Sequence, residues 1–226
     1  MTVIANTRRE LLARYPAKPP ISLGPSTPSA TSKDVLVMSS IHRQPFVGID
    51  VRASTMDMSS QMLRRTIASL EAKAWLQQVP FSRRTRGYIR YCNLTKEGLE
   101  AVHLDMPDQG TGSFLHRRCQ RLIQNFIKTS LHVDAGIEYR LNGKNVDIGY
   151  SQDERKVAFE VGLHTAENEL SNITKDIEAG FNEIHVLFRD STMLQRVQEL
   201  APKSKAELKL ELLTDYLEQT SVPTET

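Results

Sequence analysis

Apolar and polar residues alternate regularly over residues 136–163, whose sequence is GIEYRLNGKNVDIGYSQDERKVAFEVGL. A period of two predicts β-strands whose side chains point to opposite faces in turn. Asn142-Gly143 predicts a tight turn, because both positions accept positive φ, and the polar residues 152–155 predict a second turn. The predicted inward face consists of Ile137, Tyr139, Leu141, Val146, Ile148, Tyr150, Val157, Phe159, Val161 and Leu163. The predicted outward positions of the third strand are Ala158, Glu160, Gly162 and His164.

The register of this three-stranded meander places three carboxylates in one row. If the strands pair directly across both turns, Glu138 lies opposite Asp147, and Asp147 lies opposite Glu160. Like charges facing each other across a sheet are unfavourable unless a positive charge lies between them. A divalent cation would supply that charge, because it prefers hard oxygen ligands. The alternative is a polar sheet face in which Arg140 and Lys156 form salt bridges with the acids.

Helical spacing and turn residues predict the other elements. Before the meander we expect a helix from Ser32, a helix capped by Ser59 or Ser60 that buries Leu63, Ile67, Leu70 and Ala74, strands at 77–81 and 88–93, a helix capped by Thr95, and a helix at 113–129. After the meander we expect helices at 166–179, 193–200 and 206–217, with one strand within 181–188.

Composition narrows the class of protein without deciding its partner. Residues 1–32 are rich in proline, serine and threonine, which predicts a flexible arm or a peptide that docks on a protein partner. The net charge of the 226-residue chain is only +2. There is no apolar run of membrane-spanning length, no signal-peptide pattern and no metal-type spacing between Cys92 and Cys119. These features predict a cytoplasmic protein with no membrane partner.

The segment LEAKAWLQQV…RGYIRYCNLTKEGLEAV resembles the recognition helix, wing and following helix of a winged helix-turn-helix domain. Within residues 59–103, eight basic and three acidic residues give a charge of +5. That excess suits contact with the phosphates of double-stranded DNA. The alternative is a solvated basic face on a domain that forms a homodimer. The candidate DNA-binding residues are Arg64, Arg65, Arg83, Arg84, Arg86 and Arg90.

From residue 113 onward, the predicted order of helix, three antiparallel strands, crossover helix and strand resembles the restriction-endonuclease-like, or PD-(D/E)XK, superfamily. Val146-Asp147 stands where the family has Pro-Asp, and Glu160-Val161-Gly162 stands where it has Glu-x-Lys. The resemblance implies Mg²⁺ or Mn²⁺ at Asp147 and Glu160, with Glu138 from the same row as a further ligand. Because Gly162 replaces the family lysine, the expected catalytic set is Asp147, Glu160 and Lys175. The alternatives are a surface ion pair between Lys175 and Glu178, and structural roles for the nearby His116 and His164.

The two resemblances together predict an α/β (α+β) protein with a winged helix-turn-helix followed by an αβββαβ nuclease-like core. The expected function is metal-dependent cleavage of DNA in a mobile-element or DNA-processing context. The alternatives are a catalytically inactive DNA-binding regulator or scaffold of the same fold, and a protein-interaction module. The predicted divisions are an arm at 1–32, a winged helix at 33–105, a nuclease-like domain at 113–200, and a helix and tail at 201–226.

Overall fold

The computed structural model describes residues 29–220, except residues 86, 108 and 109, and it gives no side-chain description for residues 218–220. The chain is a mixed α/β protein with a two-stranded and a five-stranded sheet in the described part. Most of the predicted arm, at residues 1–28, and the end of the tail, at residues 221–226, lie outside the described residues. Among the described helices, none combines the length and the hydrophobicity needed to cross a bilayer.

The N-terminal half follows the predicted order of helix, helix, hairpin and helix, with one additional short helix. Its elements are α1 (Ser32–Arg43), α2 (Ile49–Thr55), α3 (Ser60–Ala72), β1 (Leu76–Ser82), β2 (Tyr88–Leu94) and α4 (Lys96–Ala101). Side chains of Thr31, Ser59 and Thr95 cap α1, α3 and α4 by accepting backbone hydrogen bonds, as N-cap residues do. The pairing of β1 with β2 is antiparallel.

The additional helix α2 is fixed by a buried arginine. Arg52 is 2% exposed and donates hydrogen bonds to the carbonyl groups of Gln44 and Val47 and to the hydroxyl of Ser40. Charged side chains are buried only when they are paired in this way, so α2 depends on tertiary contacts that its short sequence does not reveal. The predicted burial of Ala74 was wrong: it is exposed, with φ 58°, because α3 has already ended.

The C-terminal half is built around the five-stranded sheet, whose strand order is β3-β4-β5-β6-β7. Its elements are α5 (Phe114–Phe126), a π-helical turn (Ile127–Leu131), β3 (Gly136–Leu141), β4 (Lys144–Gln152), β5 (Arg155–Gly162), α6 (Ala166–Ala179), β6 (Glu183–Phe188), α7 (Ser191–Leu200), β7 (Glu207–Leu212) and α8 (Leu213–Thr220). The pairs β3–β4 and β4–β5 are antiparallel, whereas β5–β6 and β6–β7 are parallel.

The predicted helix at residues 206–217 was wrong in its first half, because residues 207–212 form β7. The sequence ELKLEL alternates between polar and apolar residues, which is a strand pattern. The helix is confined to α8, which begins at Leu213. Residues 207–212 are therefore part of the five-stranded sheet, next to β6.

The sheet is covered on both faces, so the prediction of one solvent-facing side was also wrong. Ile148 and Phe159 belong to the hydrophobic core that includes α5, whereas Val146 and Ala158 belong to the core that includes α6. Residues two apart on β4, Val146 and Ile148, thus lie in different cores. The predicted shared face of Ile137 and Tyr139 divides in the same way. The faces exchange at the row of acids, where the ladder is interrupted.

The hairpin of the N-terminal half packs against the C-terminal half. Phe81 and Tyr91 share a core with residues of α5, β5 and α8. Ser82 is the polar connection: its backbone nitrogen donates to the carbonyl of Arg189, and its carbonyl accepts from the Thr214 hydroxyl at 2.8 Å. Both Ser82 and Thr214 are buried. The turn end of the hairpin is therefore held by Arg189, which follows β6, and by Thr214 at the start of α8.

Replacing Gly98 with alanine should destabilise the protein by about 1–3 kcal/mol or more, because overpacking next to a rigid backbone cannot be relieved by a rotamer change. An added Cβ would lie 2.0 Å from the carbonyl oxygen of Trp75. The control is Gly48→Ala, where no atom lies within 4 Å of an added Cβ. Urea unfolding of both variants measures the difference, and equal midpoints would show that α4 does not pack on Trp75 as described.

Candidate active site

The three predicted carboxylates lie in the expected register. The pairs Ile137–Ile148 and Tyr139–Val146 lie on the two sides of Glu138 and Asp147. The β4–β5 ladder ends at the pair Ile148–Phe159, which places Glu160 next to Asp147. The row itself is missing from the regular ladder, and Glu138 has φ 52°. A non-glycine residue in this region marks a local backbone constraint. The interruption separates the strands where the acids converge.

Asp147 lies at the centre of this gap. Its Oδ2 accepts a hydrogen bond from the backbone nitrogen of Val161 at 2.8 Å and lies 3.1 Å from His116 Nε2, while Oδ1 accepts from Gln120 Nε2 at 3.1 Å. Burial acts to raise the pKa of Asp147, but the hydrogen bond and charge of His116 outweigh it, so the pKa is lowered. The lowered pKa keeps the side chain ionised. The carboxylate accepts the hydrogen bond from the Val161 backbone nitrogen that a carbonyl group of β4 would otherwise accept.

His116 has a fixed orientation on α5. Its Nδ1 lies 2.9 Å from the carbonyl oxygen of Thr111, which identifies Nδ1 as a donor. Burial acts to lower the pKa of His116, but the hydrogen bond and charge of Asp147 raise it. The ring is thus part of the acid cluster rather than only part of a packed helix face.

Glu160 is the most enclosed member of the row, with 3% of the residue exposed. Lys175 Nζ lies 3.0 Å from its Oε1. Burial raises the pKa of Glu160, and the charges of Asp147 and Asp176 raise it further, against the effect of Lys175. The positive charges beside the row are therefore Lys175 and His116, rather than the Arg140 and Lys156 of the alternative prediction.

One face of α6 supplies the remaining wall of the site. Glu169, Asn172 and Lys175 are spaced three residues apart and all line the same cavity, as residues on one helix face do. Glu169 is 1% exposed, and burial raises its pKa to about 7. Asp176 is fully buried, and burial raises its pKa to about 6. The sequence analysis missed Glu169 and Asp176, although the three-residue spacing that ends at Lys175 was a usable signal for Glu169.

Glu138 forms hydrogen bonds that connect β3 to the segment before α5 and to α5 itself. Its Oε1 accepts hydrogen bonds from the backbone nitrogen and the hydroxyl of Thr111 and from Gln120 Nε2, at distances of 3.1, 2.9 and 2.8 Å. Thr111 lies between the two predicted domains, and its hydrogen bonds to Glu138 join that segment to the acid row. Glu138 therefore fixes the start of α5 over the site.

The cavity has a volume of about 260 Å³. Its lining residues are His116, Glu138, Asn145, Val146, Asp147, Glu160, Val161, His164, Glu169, Asn172 and Lys175. In the described part of the chain, no group of three or more histidine, cysteine, aspartate or glutamate side chains is arranged to hold a metal ion. The donor set nevertheless suits a hard divalent cation, because the carboxylates of Asp147 and Glu160 are adjacent and their like charges raise the pKa of Glu160.

Packing accounts for the glycine in place of the family lysine. A Cβ added to Gly162 would lie 3.0 Å from Phe188 Cδ1 and 3.4 Å from the carbonyl oxygen of Leu187. A side chain at this position would be tightly packed, and the buried ring of Phe188 would have to shift by a few tenths of an ångström. In this fold an amine can approach the acids from α6, and Lys175 does so.

The candidate DNA-binding arginines are distributed over α3 and the hairpin. Arg64 is exposed and pairs with Asp50 at 3.1 Å, and Arg65 lines a polar cavity with Lys33 and Lys73. On the hairpin, Arg84 pairs with Asp215 of α8 at 3.3 Å. Arg83 and Arg90 are exposed, and Arg86 lies outside the described residues.

No protein-family model and no curated protein matches this sequence. Among solved structures, the chain is similar to the PcaV transcriptional regulator from Streptomyces coelicolor, crystallised in complex with its natural ligand. The similarity has a TM-score of 0.30 and 16% identity, and it covers 56% of this chain and 79% of that chain. A TM-score this low does not establish a shared fold.

Proposed function

We propose that the protein is a DNA-binding, metal-dependent nuclease of the PD-(D/E)XK type. One observation carries the proposal: Asp147 and Glu160, from neighbouring strands, meet in one cavity where Lys175 Nζ lies 3.0 Å from Glu160. Two acids and an amine are the groups that the resemblance to the PD-(D/E)XK superfamily assigns to metal-dependent phosphodiester cleavage. The interrupted ladder and the buried carboxylates support a functional role, because perturbed pKa values concentrate at sites of chemistry.

Each residue has a distinct role in this proposal. Asp147 and Glu160 would hold Mg²⁺ or Mn²⁺, which supplies charge neutralisation of the phosphate and activation of water. His116 and the backbone nitrogen of Val161 orient Asp147. Lys175 provides the positive charge that the family lysine supplies elsewhere. Glu138 is assigned mainly to positioning, because one of its oxygens already accepts three hydrogen bonds.

The N-terminal half would bind the duplex as a winged helix-turn-helix. Support comes from its element order of three helices, a hairpin and a short helix, and from the exposed arginines on α3 and between β1 and β2. Arginines bind phosphates without reading the sequence, so they would position the DNA. Since Ser82 fixes the turn end of the hairpin to Arg189 and Thr214 of the C-terminal half, DNA bound there would be held at a set distance from the acid cavity.

Replacing Arg83, Arg84 and Arg86 together with alanine should weaken duplex binding and reduce the slope of log affinity against log salt by about 2–3, because each phosphate contact contributes about 0.9 to that slope. Fluorescence anisotropy at several salt concentrations measures both quantities. The control is Lys203→Ala/Lys205→Ala in the exposed loop before β7, which removes charge away from the hairpin. An unchanged slope in the triple variant would place the DNA contact elsewhere.

A second candidate function is a non-catalytic DNA-binding regulator with the same fold. Gly162 favours it, because the position where the family carries a lysine has no side chain here and is tightly packed against Phe188. The two functions are separated by incubating the purified protein with DNA and Mg²⁺ or Mn²⁺. Cleavage that disappears in the Asp147→Asn variant supports the nuclease, and binding without cleavage under all metals and substrates supports the regulator.

A further inference from the structure

We propose that Lys175 is an internal counter-cation that a divalent metal displaces from Glu160, and that Asp176 is the carboxylate to which Lys175 then moves. This inference rests on the proposed metal site and goes beyond it by assigning a role to Asp176. In this scheme the affinity for metal depends on competition between the divalent ion and the Lys175 ammonium group for the carboxylate of Glu160. Asp176 acts in this scheme as a positioning residue for Lys175.

The distances place Lys175 between two acceptors. Its Nζ is 3.0 Å from Glu160 Oε1 and 3.5 Å from Asp176 Oδ1. Only the first contact has the length of a charge-assisted hydrogen bond. The side chain is 28% exposed and has several rotatable bonds, so a small rotation is enough to exchange the closer partner.

Asp176 is incompletely satisfied in the present arrangement. It is 0% exposed, its Oδ1 lies 3.5 Å from Lys175 Nζ, and the Glu160 carboxyl group is a further neighbour. Neither carboxylate oxygen accepts a hydrogen bond of good geometry from the described residues. A buried carboxylate whose polar contacts are this long is unfavourable, and such a group usually has a reason to be present. A second carboxylate that Lys175 can approach gives this residue a purpose, because it keeps the ammonium group paired after the metal takes Glu160.

The charges of the site require such an acceptor. A divalent cation at Asp147 and Glu160 would repel an ammonium group that remained 3.0 Å from Glu160. Without Asp176, the ammonium group would either stay and oppose the metal or leave the site where its charge is needed. With Asp176, it retreats by a short distance and remains next to the reacting phosphate.

The test is the affinity for Mn²⁺, measured by isothermal titration calorimetry on the full chain. Lys175→Met should bind Mn²⁺ about tenfold more tightly than wild type, because the competing charge-assisted hydrogen bond is gone. Asp176→Asn should bind it several-fold more weakly, because Lys175 loses its alternative partner. Glu178→Gln is the matched control: it removes an exposed carboxylate from the same helix, and its affinity should equal that of wild type. Lys175→Gln replaces Lys175→Met if the latter does not fold.

Asp147→Asn tests the metal site separately from the displacement of Lys175, because Mn²⁺ binding to the acid row should be lost in that variant. Equal Mn²⁺ affinity in wild type, Lys175→Met and Asp176→Asn, or weaker binding in Lys175→Met, would overturn the displacement of Lys175 and leave the metal site intact. The absence of Mn²⁺ binding in all variants would overturn the metal site and this inference together. Opposite changes in Lys175→Met and Asp176→Asn would support both.

Discussion

Replacing Asp147 with asparagine should reduce metal-dependent cleavage of DNA by about a thousandfold or more, because a divalent cation contributes several kcal/mol of charge stabilisation in such reactions. The substitution keeps the size of the side chain, and an amide oxygen can still accept the hydrogen bond from the backbone nitrogen of Val161. It removes the negative charge that Asp147 contributes to the row. The assay is cleavage of labelled single-stranded, nicked and duplex DNA in Mn²⁺ and in Mg²⁺.

The control for this experiment is Asp153→Asn, in the exposed turn between β4 and β5. It makes the same chemical change on the same meander, and cleavage should remain at the wild-type level. Circular dichroism should show that both variants are folded. Cleavage that persists in Asp147→Asn would indicate a contaminating nuclease or a different site, and the acid row would then have only a structural role.

The stability of the metal-free protein should fall as the pH rises from about 4 to about 7. Burial raises the pKa of Glu169 from the ordinary value of 4.5 to about 7, and that of Asp176 from 3.8 to about 6. Between the ordinary and the raised values, the folded state holds protons that the unfolded state has released. Stability therefore decreases with increasing pH over these windows, by the linkage between proton uptake and folding.

Glu160 and His116 also lower the stability of the folded state as the pH rises. The pKa of Glu160 and that of His116 are also raised, so both groups hold their protons longer in the folded state. The lowered pKa values of Asp147 and Glu183 have their effect below the ordinary carboxylate range, where stability is lost as the pH falls. The combination predicts a stability maximum on the acidic side of neutrality.

Glu169→Gln should remove a large part of this pH dependence. At pH 8 the wild type loses roughly 3 kcal/mol through ionisation of Glu169, from 1.36 kcal/mol for each unit by which the pKa is raised. The variant avoids that loss and should be more stable than wild type at pH 8, with little difference at pH 4.5. Urea unfolding in EDTA at several pH values measures the effect, with Glu167→Gln on the exposed side of α6 as control. Parallel pH profiles for wild type and Glu169→Gln would contradict the described environment of Glu169.

The part of the candidate site that depends on strand register, the row of three acids, was predictable from the sequence. The turn at Asn142-Gly143 and the polar turn before Arg155 fix which residues face one another, so the row of Glu138, Asp147 and Glu160 followed from spacing alone. The exchange of faces at that row was not predictable. It depends on the strands separating around the Asp147 carboxylate, which is a property of three segments together.

The contribution of the helices to the site was only partly predictable. The position of Lys175 on α6 suggested that it could reach the acids, and the structure places it 3.0 Å from Glu160. Glu169 and Asp176 were missed because charged residues on a helix are usually solvated, and here the sheet buries them. The strand β7 was mistaken for a helix because short apolar alternation is ambiguous until a neighbouring strand is known.

The sequence by itself determined the local features of this protein: its helix caps, its tight turns, the pairing register of the meander and the excess of basic residues around the hairpin. These depend on interactions between residues that are close in the chain. Only the tertiary structure decided which faces are buried, that β7 completes the sheet, and that residues from α5 and α6 approach the same acid row from opposite sides. Those features arise from contacts between distant segments, where burial changes the pKa of a carboxyl group or the partner of a lysine without any change in the local sequence pattern.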